Sequence, residues 1–419
     1  MELTLKNATV YSDGKFIKTD LFVSQGKVFF SSPNSFSDDT IIIDCLNKYI
    51  FPGFVDVHTH LREPGFSYKE TVKTGTQAGA SAGYRALFTM PNLKPVPDSE
   101  KNLKVQQDII DKDAVISVYP FASITKGEMG NELADLVELA DKVKGFSDDG
   151  KGVQNEQMML SAMKIAKEKD KIIVAHCEDE SLLNGGYIHD GEYAKAHGHK
   201  GISSASEYEQ VRRDLELVER TGVKYHVCHV STLESVDAIR KARAKGLDVT
   251  GETGPHYLVL HDLMLKEDGG FKMNPPIRSK RDMLALIEGI KDGTLSMIAT
   301  DHAPHSQEEK SKGLLSLNGI VGLETAFPVL YTNLVKTGVI SLEKLIELMS
   351  VNPAKRFGLE QALVDGGVAD FAVFDLDEKY EINSQNFLSM GKSTPFNGYQ
   401  VYGKCLLNVH GGEIVYKAK

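Results

Sequence analysis

Eight strand-like runs alternate with helical stretches through the middle of this 419-residue chain. The runs are short and apolar, whereas the stretches between them, such as 156–169, 205–220 and 233–245, carry apolar residues at three-to-four spacing. Eight strand-then-helix units in order are the pattern of an α/β protein with a (β/α)8 TIM barrel. The runs are 54–58, 85–90, 115–122, 143–148, 171–176, 224–229, 248–252 and 296–300.

Both ends of the chain have a different sequence pattern, which predicts short β-rich segments. Runs 3–11, 20–23 and 27–31 are separated by Asp-Gly and Gln-Gly turn signals, and runs 369–376 and 405–409 lie beside Gly-Gly pairs. We therefore predict one small β-sandwich domain that both termini build together. The predicted division is 1–50 and 356–419 for the two parts of this domain and 51–355 for the barrel.

Composition narrows the class of protein. With 41% hydrophobic residues and 25% charged residues, the chain is globular, and disordered or fibrous classes are excluded. The net charge of −10 provides no basic surface for nucleic acid or an anionic membrane, so we expect a small-molecule substrate and neither of those partners. The start of the chain lacks a signal-peptide pattern, and its four cysteines are scattered, which favours a cytoplasmic protein with reduced thiols.

Two histidines, His58 and His60, end the first predicted strand. Side chains at i and i+2 of a strand point the same way, so both rings can reach one cation. Active sites of barrels lie at the carboxyl ends of the strands, and further histidines and aspartates fall at those ends. They favour a two-cation site over a closed structural zinc site, which would be rich in cysteine. These residues are Asp148 and Asp149 after the fourth strand, His176 after the fifth, His229 after the sixth and Asp301 after the eighth.

Several motifs resemble those of the bacterial type I dihydroorotases of the amidohydrolase superfamily. The opening motif is Pro-Gly-Phe-Val-Asp-Val-His-Thr-His-Leu-Arg at 52–62, and Thr-Met-Pro-Asn follows at 89–92. Further motifs occur in the family's order over nearly the whole chain. They lie at 146–150, 175–178, 228–231, 273–276, 299–305 and 318–327.

The resemblance implies a metal centre with two zinc ions per subunit, bridged by Asp149 and hydroxide. His58 and His60 bind the first ion, His176 and His229 bind the second, and Asp301 binds the first and acts as the general acid/base. Asp149 is preferred to Asp148 as the bridge because it lies further toward the mouth. Hydantoinases and allantoinases use a carboxylated lysine at this strand instead. Manganese or cobalt would also suit these ligands.

The resemblance also implies the reaction, which is the reversible cyclisation of N-carbamoyl-L-aspartate to dihydroorotate and water in pyrimidine (UMP) biosynthesis. A homodimer and association with aspartate transcarbamoylase are further expectations from the family. Segment 310–317 is interpreted as a mobile loop over the site. The expected substrate-binding residues are His60, Leu61, Arg62, Asn92, Asn274, His305, Asn318 and Gly319.

Two other functions stay open at this point. One is a neighbouring cyclic amidase such as a hydantoinase or allantoinase, against which Asp149 in place of lysine argues, together with Arg62 and Asn92. The other is a non-catalytic subunit that serves only as a scaffold for aspartate transcarbamoylase. Such chains lose metal ligands, and this chain has all six.

Overall fold

The computed structural model describes residues 1–32 and 40–418; residues 33–39 of the predicted 1–50 segment and residue 419 of the predicted 356–419 segment lie outside the described part. The described chain has a mixed α/β fold and opens with five strands. These are β1 Leu3–Ser12, β2 Lys15–Ser24, β3 Lys27–Phe29, β4 Ile41–Asp44 and β5 Tyr49–Pro52.

The middle of the chain alternates strands and helices, and each of the eight predicted runs overlaps a strand. The strands are β6 Phe54–Thr59, β7 Tyr84–Thr89, β8 Ser117–Pro120, β9 Gly145–Phe146, β10 Ile172–Ala175, β11 Ile188–His189, β12 Gly201–Ile202, β13 Lys224–Val227, β14 Val249–Thr253 and β15 Met297–Ile298. The helices are α1 Val72–Ser81, α2 Glu100–Asp113, α3 Leu136–Leu139, α4 Glu156–Glu168, α5 Glu192–His197, α6 Ala205–Thr221, α7 Leu233–Ala244, α8 Pro255–Val259, α9 Lys280–Asp292, α10 Leu323–Leu330, α11 Leu342–Ile346 and α12 Asn352–Arg356.

The central strands pair in parallel, so that their carboxyl ends lie on one side. One sheet has the order β6-β7-β8 and another the order β15-β14-β13-β10-β9. Two isolated parallel bridges connect the sheets: Ala122 pairs with Phe146, and Thr59 pairs with His302. Strands that start at different places in the sequence therefore deliver the residues after them to a common mouth.

A separate eight-stranded sheet contains strands from both ends of the chain. The three C-terminal strands are β16 Phe371–Glu381, β17 Gln400–His410 and β18 Glu413–Lys417. The sheet order is β18-β17-β16-β5-β1-β2-β3, with β4 paired to β1. Strands β4, β5 and β18 were not predicted, because four or five residues carry too little alternation to separate a strand from a turn.

A buried apolar cluster packs between the central strands. Val57, Phe88, Phe121 and Val174 belong to one buried cluster there. The helices pack outside the strands, and several are held at their starts by side-chain caps; Ser279 and Asp282 form a capping box at α9, for example. None of the helices in the described ranges has the length and hydropathy that a membrane crossing needs.

Candidate active site

Six side chains predicted as metal ligands meet at the carboxyl ends of the central strands. His58 lies in β6, and the other five residues follow strand ends by one to three positions. Positive φ angles of 32° at His229 and 49° at Asp301 turn the chain out of its strand direction. All six side chains are buried, and none is more than 7% exposed. The set is His58, His60, Asp149, His176, His229 and Asp301.

The Asp149 carboxylate lies at the centre of the four rings. Its Oδ1 is 3.3 Å from His58 Nε2 and 3.5 Å from both His176 Nδ1 and His229 Nε2, and its Oδ2 is 3.4 Å from His60 Nε2. One carboxylate therefore faces both pairs of histidines. This is the arrangement that a bridging ligand between two cations needs.

Asp301 also faces the first pair of histidines, His58 and His60. Its Oδ1 lies 3.2 Å from His60 Nε2 and 3.5 Å from His58 Nε2. Burial acts to raise the pKa of Asp301, but His58 and then His60 outweigh it and hold the pKa below its ordinary value. The carboxylate is therefore unprotonated and able to accept a proton.

The donor atoms fit divalent cations. His58 Nε2 and Asp149 Oδ1 are buried and have no hydrogen-bond partner among the described residues. Orphaned buried polar atoms of this kind are costly unless a ligand pairs with them. The described residues form two compact groups that share Asp149, one with His58 and His60 and one with His176 and His229. Imidazole nitrogens and carboxylate oxygens suit zinc, manganese or cobalt.

Glu252, which our sequence analysis did not single out, supports the first histidine from behind. His58 Nδ1 donates to Glu252 Oε1 at 2.7 Å, and His226 Nε2 donates to Glu252 Oε2 at 2.9 Å. This bond leaves His58 Nε2 free of hydrogen and pointed at Asp149, as a metal ligand requires. The available signal was an acidic residue inside the run predicted as the seventh strand, which the structure buries as β14.

Asp148 and Asp149 are adjacent but serve different partners. Asp148 Oδ1 accepts the backbone N–H groups of Ile124 at 2.7 Å and Thr125 at 3.0 Å, and the Thr125 hydroxyl donates to Oδ2. Asp148 thus fastens the loop after β8 and faces away from the histidines. The geometry favours Asp149 as the residue between the two histidine pairs.

The two lysines nearest to Asp149 in the sequence do not enter the cluster. Lys144 Nζ donates to Gly358 O at 3.3 Å, at the opposite end of its strand. Lys151 Nζ lies 3.8 Å from Met129 Sδ on the exposed side of the loop. Neither lysine therefore lies where a carboxylated side chain could bridge the two histidine pairs.

A cavity of about 240 Å³ opens beside the cluster. It contains most of the predicted substrate-binding residues, but not Leu61, whose side chain is fully buried in the core. A larger cavity of about 570 Å³, lined by Tyr11, Pro52 and Leu363 among others, lies away from the histidines and contains none of the predicted site residues. The smaller cavity is lined by His60, Arg62, Asn92, Asp149, Gly150, His176, Asn274, Asp301, Ala303, His305, Leu317, Asn318 and Gly319.

Polar contacts hold the predicted substrate residues in place. His60 Nδ1 lies 2.9 Å from Asn92 Oδ1, which ties the first strand end to the second. Arg62 Nε donates to Pro304 O at 3.2 Å. Asn274 Nδ2 donates to the carboxylate of Glu178, at 3.0 and 3.2 Å from its two oxygens.

The segment predicted as a mobile loop is anchored at its first residue. Lys310 is buried, and its Nζ donates to the carbonyl oxygens of Lys272, Leu317 and Gly319 at 2.7–2.9 Å. Leu315 and Leu317 are exposed, and Leu317 lines the cavity. One ammonium group therefore fixes the backbone next to Asn318.

Solved structures with the same fold are hydantoinases by title. An L-hydantoinase (dihydropyrimidinase) from Arthrobacter aurescens superposes with a TM-score of 0.89 at 25% identity, covering 99% of this chain and 96% of that chain. A D-hydantoinase superposes with a TM-score of 0.87 at 24% identity, covering 100% and 95%. The second likeness shows the fold alone.

Sequence relatives define the family more closely. A dihydroorotase from Fusobacterium nucleatum is 48% identical over 99% of this chain and 98% of its own length, and one from Bacillus cereus is 46% identical over 100% and 99%. The family model described as Dihydro-orotase-like matches residues 47–235. The chain belongs to the dihydroorotase family, as its motifs predicted.

Proposed function

We propose that this chain is a dihydroorotase, which interconverts N-carbamoyl-L-aspartate and (S)-dihydroorotate plus water in pyrimidine (UMP) biosynthesis. The observation that carries the proposal is the placement of Asp149, whose carboxylate faces four histidines within 3.5 Å. A cavity lined by Arg62 and His305 adjoins that carboxylate. Relatives named dihydroorotase that match the full chain support the same function.

Two divalent cations, zinc by the family resemblance, belong to this proposal. His58, His60 and Asp301 would hold one cation, His176 and His229 the other, and Asp149 would contact both. When bound, such a pair polarises a carbonyl oxygen and lowers the pKa of water. Glu252 keeps the first ligand ring in the required tautomer.

Asp301 transfers the proton in this proposal. In ring opening, its carboxylate takes a proton from the attacking water while the new C–O bond forms. It then gives that proton to the ring nitrogen as the amide C–N bond breaks. In ring closure, the nitrogen loses its proton to Asp301 as it attacks the carbon of the protonated carboxyl group. Asp301 then gives that proton to the departing hydroxyl, which leaves as water as the C–O bond breaks. The side chain is only 7% exposed, so bulk water does not compete for the proton.

The substrate carboxylate is assigned to the positively charged side of the cavity. Arg62 is a planar, permanently charged donor, and His305 Nε2 lies 3.3 Å from its Nη2. Asn92 and Asn274 add directional hydrogen bonds, and the backbone of Leu61, Asn318 and Gly319 completes the binding site.

Larger-scale features belong to the same proposal. The eight parallel strands would close as a (β/α)8 barrel over 51–355, and segments 1–50 and 356–419 would form the small β-sandwich domain. We also propose a cytoplasmic homodimer that is able to associate with aspartate transcarbamoylase, on the basis of the family resemblance alone.

Turnover of L-dihydroorotate by the zinc-loaded protein tests the function, with hydantoin and allantoin assayed in parallel. We expect selective hydrolysis of dihydroorotate, and loss of that activity in Asp301→Asn. Preference for hydantoin or allantoin would replace the proposal with the neighbouring amidase. No turnover of any of the three, with metal measured as present, would favour the scaffold subunit, and aspartate transcarbamoylase would then be added.

A further inference from the structure

A buried lysine contacts the ring of His305 on the side away from the cavity. Lys69 Nζ lies 3.2 Å from His305 Nδ1 and 2.9 Å from Glu309 Oε1, and its side chain is only about one-tenth exposed. The rings of Phe66 and Tyr68 lie 5.6 and 5.5 Å from the same nitrogen. The ammonium group is therefore held from several directions, and Glu309 compensates its charge.

The contacts of His305 decide which ring nitrogen carries the hydrogen. Nε2 lies 2.7 Å from the carbonyl oxygen of Asn318, and a carbonyl only accepts, so Nε2 must donate. Nδ1 is then an unprotonated acceptor, and Lys69 is the donor within reach. The opposite tautomer would donate from Nδ1 to Glu309 Oε2 at 3.2 Å and accept from Arg62 Nη2 at 3.3 Å. It would, however, set the Nε2 lone pair against the Asn318 oxygen at 2.7 Å, which is the shortest of these contacts.

Glu309 has other partners that fit this assignment. Its Oε2 accepts the backbone N–H of Ser306 at 3.1 Å, and its Oε1 accepts the Tyr68 hydroxyl at 3.2 Å as well as Lys69. The carboxylate is thus engaged without a hydrogen from His305. Burial, followed by the charges of Arg62 and Lys69, lowers the pKa of His305 to about 4, which keeps the ring neutral.

We infer that Lys69 is a positioning residue: by donating to Nδ1 it fixes His305 in the tautomer that presents an Nε2–H to the cavity, where a substrate carboxylate would accept it. The identity of the anion in this inference rests on the proposed function, whereas the assignment of the tautomer does not. A carboxylate next to Arg62 would take over the hydrogen bond that Asn318 O accepts in the free protein. Arg62 would supply the positive charge, and His305 would supply a directional hydrogen bond.

Long-range proton–nitrogen NMR of protein labelled with 15N-histidine reads the tautomer directly. His305→Asn identifies the signals by their loss. We expect the wild-type hydrogen on Nε2 of His305. In Lys69→Met we expect the Nδ1-bound form to appear, because Glu309 is then the remaining partner on that side. Lys69→Arg should restore the wild-type pattern, and Lys73→Met, at an exposed position of α1, should leave it unchanged.

Kinetics give a second reading of the same variants. We expect Lys69→Met to raise KM for dihydroorotate about tenfold, the value of one charge-assisted hydrogen bond, with a smaller change in kcat. A hydrogen on Nδ1 in the wild type would overturn the inference, and so would an unchanged tautomer in Lys69→Met. The wild-type spectrum needs no variant to fold and no substrate. A hydrogen on Nδ1 in that spectrum therefore overturns the inference even if dihydroorotate is not turned over, and the Lys69→Met spectrum decides the role of Lys69.

Discussion

The two halves of the cavity differ in how their polar atoms are paired. On the metal-ligand side, His58 Nε2 and Asp149 Oδ1 are buried without hydrogen-bond partners, although each lies 3.5 Å or less from other donor atoms of the cluster. The other half, which is proposed to bind the substrate carboxylate, is the anion side. There, both ring nitrogens of His305 and the Nε of Arg62 already have protein partners. One half has buried donor atoms that lack hydrogen-bond partners, as the proposed cation ligands require, whereas the polar atoms of the other half are already paired within the protein.

This difference predicts different behaviour on mutation. Loss of a residue on the metal-ligand side should remove cations and leave the substrate residues in place. Loss of a residue on the anion side should weaken substrate binding and leave the metal content unchanged. The predictions below test that separation.

The largest effect is expected at Asp149. Asp149→Ala should lose at least one cation and lower turnover by about a thousandfold or more, because among the described residues no other carboxylate reaches both histidine pairs. Metal content by mass spectrometry and kcat on dihydroorotate measure the two effects. Asp148→Asn is the matched control and should keep both cations. Full occupancy in Asp149→Ala would move the bridge to Asp148.

Arg62→Lys should lower kcat/KM about a hundredfold, mainly through KM. A lysine keeps the charge but loses the planar fork that pairs with a carboxylate. Steady-state kinetics and metal analysis are run together on this variant. Arg212→Lys, at a half-exposed site on α6, is the control. A loss of bound metal in Arg62→Lys would contradict the separation of the two halves.

Glu252→Gln should weaken metal binding about thirtyfold without changing KM. The neutral amide holds His58 Nδ1 less firmly, and ligands of this kind depend on such a partner. Competition with a chelator gives the zinc affinity, and exposed Glu216→Gln serves as control. Unchanged affinity would mean that the carboxylate supports the fold and not the metal.

A smaller, pH-dependent effect is expected at His305. Its folded-state pKa is lowered from 6.5 to about 4, first by burial and then by Arg62 and Lys69. Between these values the unfolded chain binds a proton that the folded chain does not, so acid favours unfolding. From pH 6.5 to pH 5 the wild type should lose about 1.5 kcal/mol of unfolding free energy more than His305→Asn. Urea denaturation measures this, and parallel curves for the two proteins would refute the neutral ring.

Much of the architecture could be read from local patterns. Hydrophobic runs located all eight central strands, and the positions of His58, His176 and His229 at their ends required no three-dimensional information. Strand bounds were less accurate. The run predicted at 143–148 is a strand only at Gly145–Phe146, since Asp148 leaves the strand to accept backbone N–H groups of the preceding loop.

The sequence by itself determined which residues lie at the mouth, because strand periodicity and chain order place a strand-end residue at the carboxyl edge. It also determined the family, through motifs that run in order along the chain. Only the tertiary structure decided that Asp149 faces the four rings while Asp148 turns away. The same holds for the contacts of Glu252 with His58 and of Lys69 with His305. These contacts join residues far apart in sequence, and their side-chain directions depend on packing that no local pattern records.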